Sequence, residues 1–206
     1  MKKNDIYILA HEIKNPLSVI KGYLEMLDSS NVLKYKDIIK NELDRSIEIL
    51  DSYMQTENIS LNKEELDISI LLNDIENNLK PFLMEKKVNL KINYIDDEIY
   101  VYADYGKLKQ VFYNIIKNAV ESHSQNIEIS YFISSKKLKI TIDNDGDRIG
   151  YKVLDKIGNN YTNKVLGHGI GTTLSKEIIS LHNGTIKYQN SISGVSVIIT
   201  LNLNGR

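Results

Sequence analysis

The stretch Leu9–Leu27, LAHEIKNPLSVIKGYLEML, decides how the rest of the chain is read. Around it apolar residues recur at Ile6, Ala10, Ile13, Leu17, Ile20, Leu24 and Leu27, in steps that alternate between three and four. That spacing is a heptad seam on an α-helix, because side chains three and four apart share a face. Within it His11 and Glu12 stand side by side, and Pro16 removes the backbone donor that would reach the Glu12 carbonyl. His11 lies just beside the seam, and Asn15, Ser18 and Gly22 continue from it as a polar and small flank. Such a flank faces water or a partner. With no second His or Cys at ligand spacing, a metal site is disfavoured, which leaves a solvated surface histidine or a nucleophile.

Outward from this helix, Asp28-Ser29-Ser30-Asn31 is a turn cluster, and Val32, Tyr35, Ile39, Leu43, Ile47, Leu50 and Met54 repeat the seam on a second helix. Two seamed helices joined by a short turn form an antiparallel hairpin. One hairpin leaves apolar surface uncovered, so the expectation is a homodimer with a four-helix bundle; the alternative is a monomer whose hairpin packs on the rest of the chain.

After a polar junction at residues 58–63 the periods alternate. Helices are expected over 69–84, with Pro81 bending or ending the first, over 105–122 and over 172–182. Strands are expected over 88–94, 99–103, 126–133, 137–142, 185–189 and 195–203, with residues 146–171 as glycine-rich loop. The fold class is α+β, helices grouped on one face of a mixed sheet, with domains at 1–60 and 61–206.

Composition bounds the function. Twenty-six basic against 27 acidic residues give a net charge of −1, which argues against a nucleic-acid partner. The chain has no cysteine, so disulfides and thiolate metal sites are excluded. No apolar run approaches the roughly 18–20 residues of a membrane span, and the expected location is the cytoplasm.

A neutral imidazole nitrogen is a nucleophile, and the Glu12 carboxylate is placed to take the proton of the other nitrogen. A nucleophile needs a donor. Three segments of the second half offer features for one: QVFYNIIKNAVES (110–122), where Asn114 and Asn118 share a helix face; DNDGDRI (143–149), which follows a strand; and GHGIGTTLSKEIISLHNG (167–184), where Gly167, Gly169 and Gly171 open into a helix. Amide oxygens suit Mg²⁺, and glycine-rich backbone at a helix N-terminus suits phosphate. Each has a bland counterpart: a polar helix surface, a strand-to-loop turn, an ordinary glycine loop.

HEIKNPLSVIKGYLEML resembles the phospho-acceptor box of bacterial sensor histidine kinases, and YADYGKLKQVFYNIIKNAVES resembles the run into the N box of their ATP-binding domain. The resemblance extends from about Asn4 to Leu203. It implies a dimerisation and histidine-phosphotransfer hairpin followed by a GHKL-type α/β sandwich. It implies that His11 accepts a phosphoryl group from ATP with Glu12 assisting, that Asn15 helps position water for dephosphorylation, and that the partner is a response-regulator receiver domain. Asn118 takes the place of the Mg²⁺ ligand, with Asn114 one turn before it. Gly167, Gly169 and Gly171 resemble the G2 box, and Lys164, after Tyr161, lies where the ATP lid's lysine reaches phosphate or is solvated. The sequence departs from the family's Asp-x-Gly-x-Gly. Alignment on Gly146 and Ile149 puts Asn144 in the place of the adenine-binding aspartate and Arg148 in that of the second glycine; alignment on the strand end makes Asp143 the candidate, and Asp145 after it. Asn144 is expected to accept one hydrogen bond through its amide oxygen, without charge assistance. The loss of the second glycine is expected to restrict backbone approach to the nucleotide. These departures motivate the alternative, a regulatory or phosphotransfer dimer whose second domain no longer uses ATP.

Overall fold

A computed structural model describes residues 3–28, 31–56, 59–95, 97–151, 153–154 and 169–203, without the side chains of 3–9, 12, 45, 48, 49, 51–56, 169 and 170. It divides into two compact units, residues 1–59 and 60–206.

The first unit is a helical hairpin, α1 (Lys3–Glu25) and α2 (Val32–Thr56). The turn is closed by side chains: the Asp28 carboxylate accepts from the Asn31 amide, and Asn31 Oδ1 accepts from the Asp28 N–H at 2.9 Å. Tyr23 and Tyr35 meet edge to face across it, ring centroids 4.9 Å apart. Among the described residues the buried ones are Pro16 and Ser46. Ala10, Leu17 and Leu24 of the expected seam are exposed, as are Leu43, Ile47 and Leu50 of the second helix. The expected seam is therefore only partly used within one hairpin. The physical reason is geometric: two helices cover one narrow line on each other, whereas an apolar stripe of this width fits a helix with two or more neighbours.

The second unit is α+β. Its elements are β1 (Glu64–Asp67), α3 (Ile68–Lys86), β2 (Asn89–Asn93), β3 (Tyr100–Ala103), α4 (Tyr105–Glu121), β4 (Asn126–Ser134), β5 (Lys137–Asn144), α5 (Gly169–Leu181), β6 (Thr185–Asn190) and β7 (Val195–Asn202). Among the described residues five strands form a mixed sheet in the order β2-β4-β5-β7-β6, in which β2 and β4 are parallel and the other pairs antiparallel. β1 and β3 form a separate antiparallel pair. β5 alternates strictly: Leu138, Ile140, Ile142 and Asn144 are buried while the residues between them are not. That face carries the core, with Leu71, Leu72 and Ile75 of α3, Val111, Phe112 and Ile115 of α4 and Leu174 and Ile178 of α5.

Three sequence expectations change. Glu64–Asp67 is a strand; its charged residues hide it from a periodicity reading, and its antiparallel pairing with residues 100–103 supplies the order. Pro81 neither ends nor caps α3, which runs on to Lys86; the proline is exposed, away from the core face. The expected loop 146–171 contains a helical turn, with Leu154 N–H donating to Gly150 O, and α5 starts at Gly169 rather than 172.

Side chains fix the helix ends. Asp67 caps α3 by accepting from Ser69 N–H, and Asp104 caps α4 by accepting from Lys107 N–H. The Tyr105 hydroxyl and the Lys109 ammonium both donate to Asp74, tying α4 to α3, and they hold its carboxyl below the usual carboxylate range, Lys109 first. At the end of α5, His182 is buried; its Nε2 accepts from Asp104 N–H at 2.9 Å and its Nδ1 donates to Ile178 O at 2.7 Å. Asn183 follows in the left-handed region and Gly184 N–H returns to Ile179 O, which stops the helix.

Candidate nucleotide and phospho-acceptor sites

On α1, His11 and Asn15 are exposed, with Ser18 exposed and Gly22 half-buried further along the same flank. Ser18 Oγ donates to Lys14 O, so it is spent on its own helix. An alanine Cβ at Gly22 would meet nothing within 4 Å, so the flank is open there. A shallow groove lined by Ala10, Ile13, Lys14, Leu17, Ser18 and Lys21 runs beside His11. The side chain of Glu12 lies outside the described residues.

In the second unit, α4 joins two of the three segments singled out in the sequence and the start of the third. At its middle, the Asn114 amide nitrogen faces Gly171 O and Ser175 Oγ of α5, each at 3.4 Å. One turn on, Asn118 is half-buried, and its amide has no hydrogen-bond partner among the described residues. At the end of α4, Ser122 and Ser124 cradle the turn after β5. Ser122 O accepts from Asp147 N–H at 2.7 Å, and Ser124 Oγ donates to Asn144 Oδ1 at 3.1 Å. Gly146 fits only as glycine: a Cβ there would lie 2.4 Å from Ser122 O and 2.5 Å from Ser124 Oγ. The polar edge of α4 thus runs from the first turn of α5 to the Asn144–Gly146 turn. Lys164 and Gly167 lie outside the described residues, and of the three glycines Gly169 and Gly171 are in helix α5.

The three acidic-box candidates separate. Asn144 ends the buried, helix-facing row of β5. Asp143 belongs to the opposite row, so the strand-end alignment does not bring it to the helix side. Asp145 is committed elsewhere: its carboxylate accepts from Gln125 N–H, Asn126 N–H and Asn126 Nδ2, each at 2.8 Å, and those bonds, Asn126's backbone first, hold it below the usual carboxylate range. The expected use of the Asn144 amide oxygen needs correction. That oxygen already accepts from Gly146 N–H and the Ser124 hydroxyl, both at 3.1 Å, so it is spent inside the protein.

Arg148 adopts an ordinary backbone conformation. It is absent from the non-glycine residues with positive φ, so an ordinary residue fits its backbone. Its guanidinium turns to Ile192 O at 2.6 Å. Beside it, Asn190 grips the Ile149 backbone on both sides, accepting from its N–H at 2.9 Å and donating to its carbonyl at 2.8 Å.

Ser124, Asn190 and Gly194 were not legible as site residues. A Cβ on Gly194 would fall 2.3 Å from Asn144 O and 2.8 Å from Gly146 O. The turn glycine in NSISGV was the available signal, but its partner is a strand end 50 residues away and only the sheet brings them together.

The profile of the histidine kinase-, DNA gyrase B- and HSP90-like ATPases matches residues 103–205. This chain belongs to that family. The profile of the His Kinase A (phospho-acceptor) domain matches residues 3–61, so the whole is a sensor histidine kinase core, a phospho-acceptor hairpin followed by an ATPase domain. Sporulation kinase A of Bacillus subtilis (strain 168) is 34% identical over 185 residues, covering 86% of this chain and 30% of its own length. Sporulation kinase B of the same strain is 30% identical over 205 residues, covering 94% and 48%. The core thus spans half or less of these two relatives. Histidine kinase ThkA, solved in complex with response regulator TrrA, shares the fold with a TM-score of 0.83 at 24% identity over 98% of this chain and 62% of the solved one. Acinetobacter baumannii histidine kinase AdeS gives 0.75 at 21% identity over 94% and 98%. Among the described residues no helix is long and apolar enough to cross a membrane.

Proposed function

We propose that this core is an ATP-dependent protein histidine kinase that autophosphorylates His11 and passes the phosphoryl group to an aspartate of a response-regulator receiver domain. The observation that carries the reading is the exposed His11, in its phospho-acceptor box, in one chain with an ATPase unit whose N-box helix contacts both the Asn144–Gly146 turn and the start of α5. A lone pair of neutral His11 attacks the γ-phosphorus while the bond to the bridging oxygen breaks and ADP leaves with that electron pair. The proton on the other ring nitrogen passes to Glu12. In this reading Asn144 and Gly146 meet the base and Asn114, Gly169 and Gly171 the phosphates, a role the family resemblance also gives Lys164 and Gly167, and Asn15 positions water for dephosphorylating the response regulator.

Among the described residues no three His, Asp or Glu side chains are grouped to hold a metal ion. Mg²⁺ is a hard cation that takes one or two protein ligands and shares the rest of its shell with phosphate and water. The free Asn118 amide is the residue that would hold it, and the ion supplies charge neutralisation on the phosphates. The tight turn around Gly146 is kept, and the Arg148 guanidinium is engaged by Ile192 O.

The exposed leucines and isoleucines of the hairpin support a homodimer, with a second copy completing a four-helix bundle. The receiver domain docks on the Asn15–Ser18–Gly22 flank, and ATP use sets the core in the cytoplasm. Incubation with γ-labelled ATP and Mg²⁺ tests the reading: wild type takes up acid-labile label and His11→Gln takes up none while still binding ATP. Label retained on His11→Gln refutes His11 as acceptor.

A further inference from the structure

The side-chain amide of Asn144 has a defined direction. Oxygen and nitrogen of an asparagine amide are distinguished only by their partners. Here one partner settles it: the backbone N–H of Gly146 can only donate, so the atom 3.1 Å from it is the oxygen. The Ser124 hydroxyl adds a second donor to the same oxygen. Nδ2 therefore points the other way. It has no hydrogen-bond partner among the described residues, although the residue is only 7% exposed. Among the described residues Tyr188 Oη is a buried side-chain polar atom without a partner and Asn144 Nδ2 is not, so this N–H₂ reaches the surface of its cradle. It does so at the end of the helix-facing row of β5, beside Gly146.

We infer that Asn144 makes the base subsite a hydrogen-bond donor, so that the core accepts purine nucleotides with an acceptor at the 6-position as readily as ATP. The inference rests on the proposed nucleotide site and goes further, to which base that site reads. An N–H₂ group matches the O6 of guanine or hypoxanthine, or the N1 of adenine; it opposes the 6-amino group of adenine, which also donates. An aspartate in the same cradle would do the reverse. It would keep an oxygen for Gly146 N–H and the Ser124 hydroxyl, turn its second oxygen outward, accept from a 6-amino group and repel O6. Residue 144 is thus a specificity-determining position, and its two isosteric occupants favour opposite base edges.

The test is calorimetric titration of the whole core with the Mg²⁺ complexes of ATP, GTP and ITP, on wild type and on Asn144→Asp. Wild type is expected to bind GTP and ITP within about tenfold of ATP, and Asn144→Asp to raise the ATP-over-GTP affinity ratio by about tenfold or more. The aspartate preserves both internal hydrogen bonds, and an unchanged urea midpoint shows that the variant folds. A wild-type preference for ATP beyond about tenfold, or a ratio that the aspartate does not move, overturns the inference while leaving the nucleotide site standing. Failure of both proteins to bind any of the three nucleotides overturns the nucleotide-site reading and this inference with it.

Discussion

Gly194→Ala adds one methyl group at the buried end of the β6–β7 turn, and the structure makes it a severe substitution. The new Cβ would lie 2.3 Å from Asn144 O, 2.8 Å from Gly146 O and 2.9 Å from Gly146 N, where ordinary contact begins at 3.4 Å. All three are backbone atoms, so no rotamer change relieves the clash. Either the β6–β7 turn or the end of β5 must move by about 1 Å, and β5 is held on both sides by β4 and β7. Overpacking of this kind costs about 1–3 kcal/mol. The upper half of that range, about 2–3 kcal/mol, is expected here because both sides of the contact are rigid. Asn144 and Gly146 shift with the clash, so Mg²⁺-ATP affinity is expected to fall with stability. Urea denaturation followed by circular dichroism measures the first and calorimetry the second. Gly150→Ala is the control: its Cβ meets nothing within 4 Å, and its effect should stay within about 0.5 kcal/mol. A Gly194→Ala protein as stable as that control, with ATP affinity unchanged, would refute the steric reasoning.

Burial, with the Lys63 charge adding and Asp104 opposing, pushes His182 below its ordinary value of 6.5. The unfolded chain therefore takes up the proton first, so this stabilisation is complete above pH 6.5 and is lost as pH falls below it; His182→Gln should flatten the decline in urea midpoint between pH 7 and 5. Leu43 and Ile47 are each 48% exposed in one hairpin, so Leu43→Glu with Ile47→Glu should turn a sedimenting dimer into a monomer, and a monomeric wild type would refute the bundle. Gly22 sits inside α1 in open space, so Gly22→Ala should stabilise the hairpin by about 0.5–1 kcal/mol, read as a higher thermal midpoint.

The local elements were written in the order of residues along the chain. The 3–4 spacing of Ile13, Leu17, Ile20 and Leu24 made a helix, the alternation of Leu138, Ile140 and Ile142 made a half-buried strand, and HEIKNPL marked the acceptor box. These signals are local, since period and turn chemistry depend on neighbours only a few residues apart. Tertiary structure decided what depends on distant partners. Glu64–Asp67 became a strand through residues 100–103, and Asp143 was separated from Asn144 by the face each occupies in the sheet. The donor character of Asn144 arises from Gly146 and Ser124, and the need for glycine at 194 from backbone on another strand. The Ser124 hydroxyl that fixes the amide's second bond and the backbone that leaves no room for a Cβ at 194 are brought there by the fold, so no spacing along the chain could have carried them.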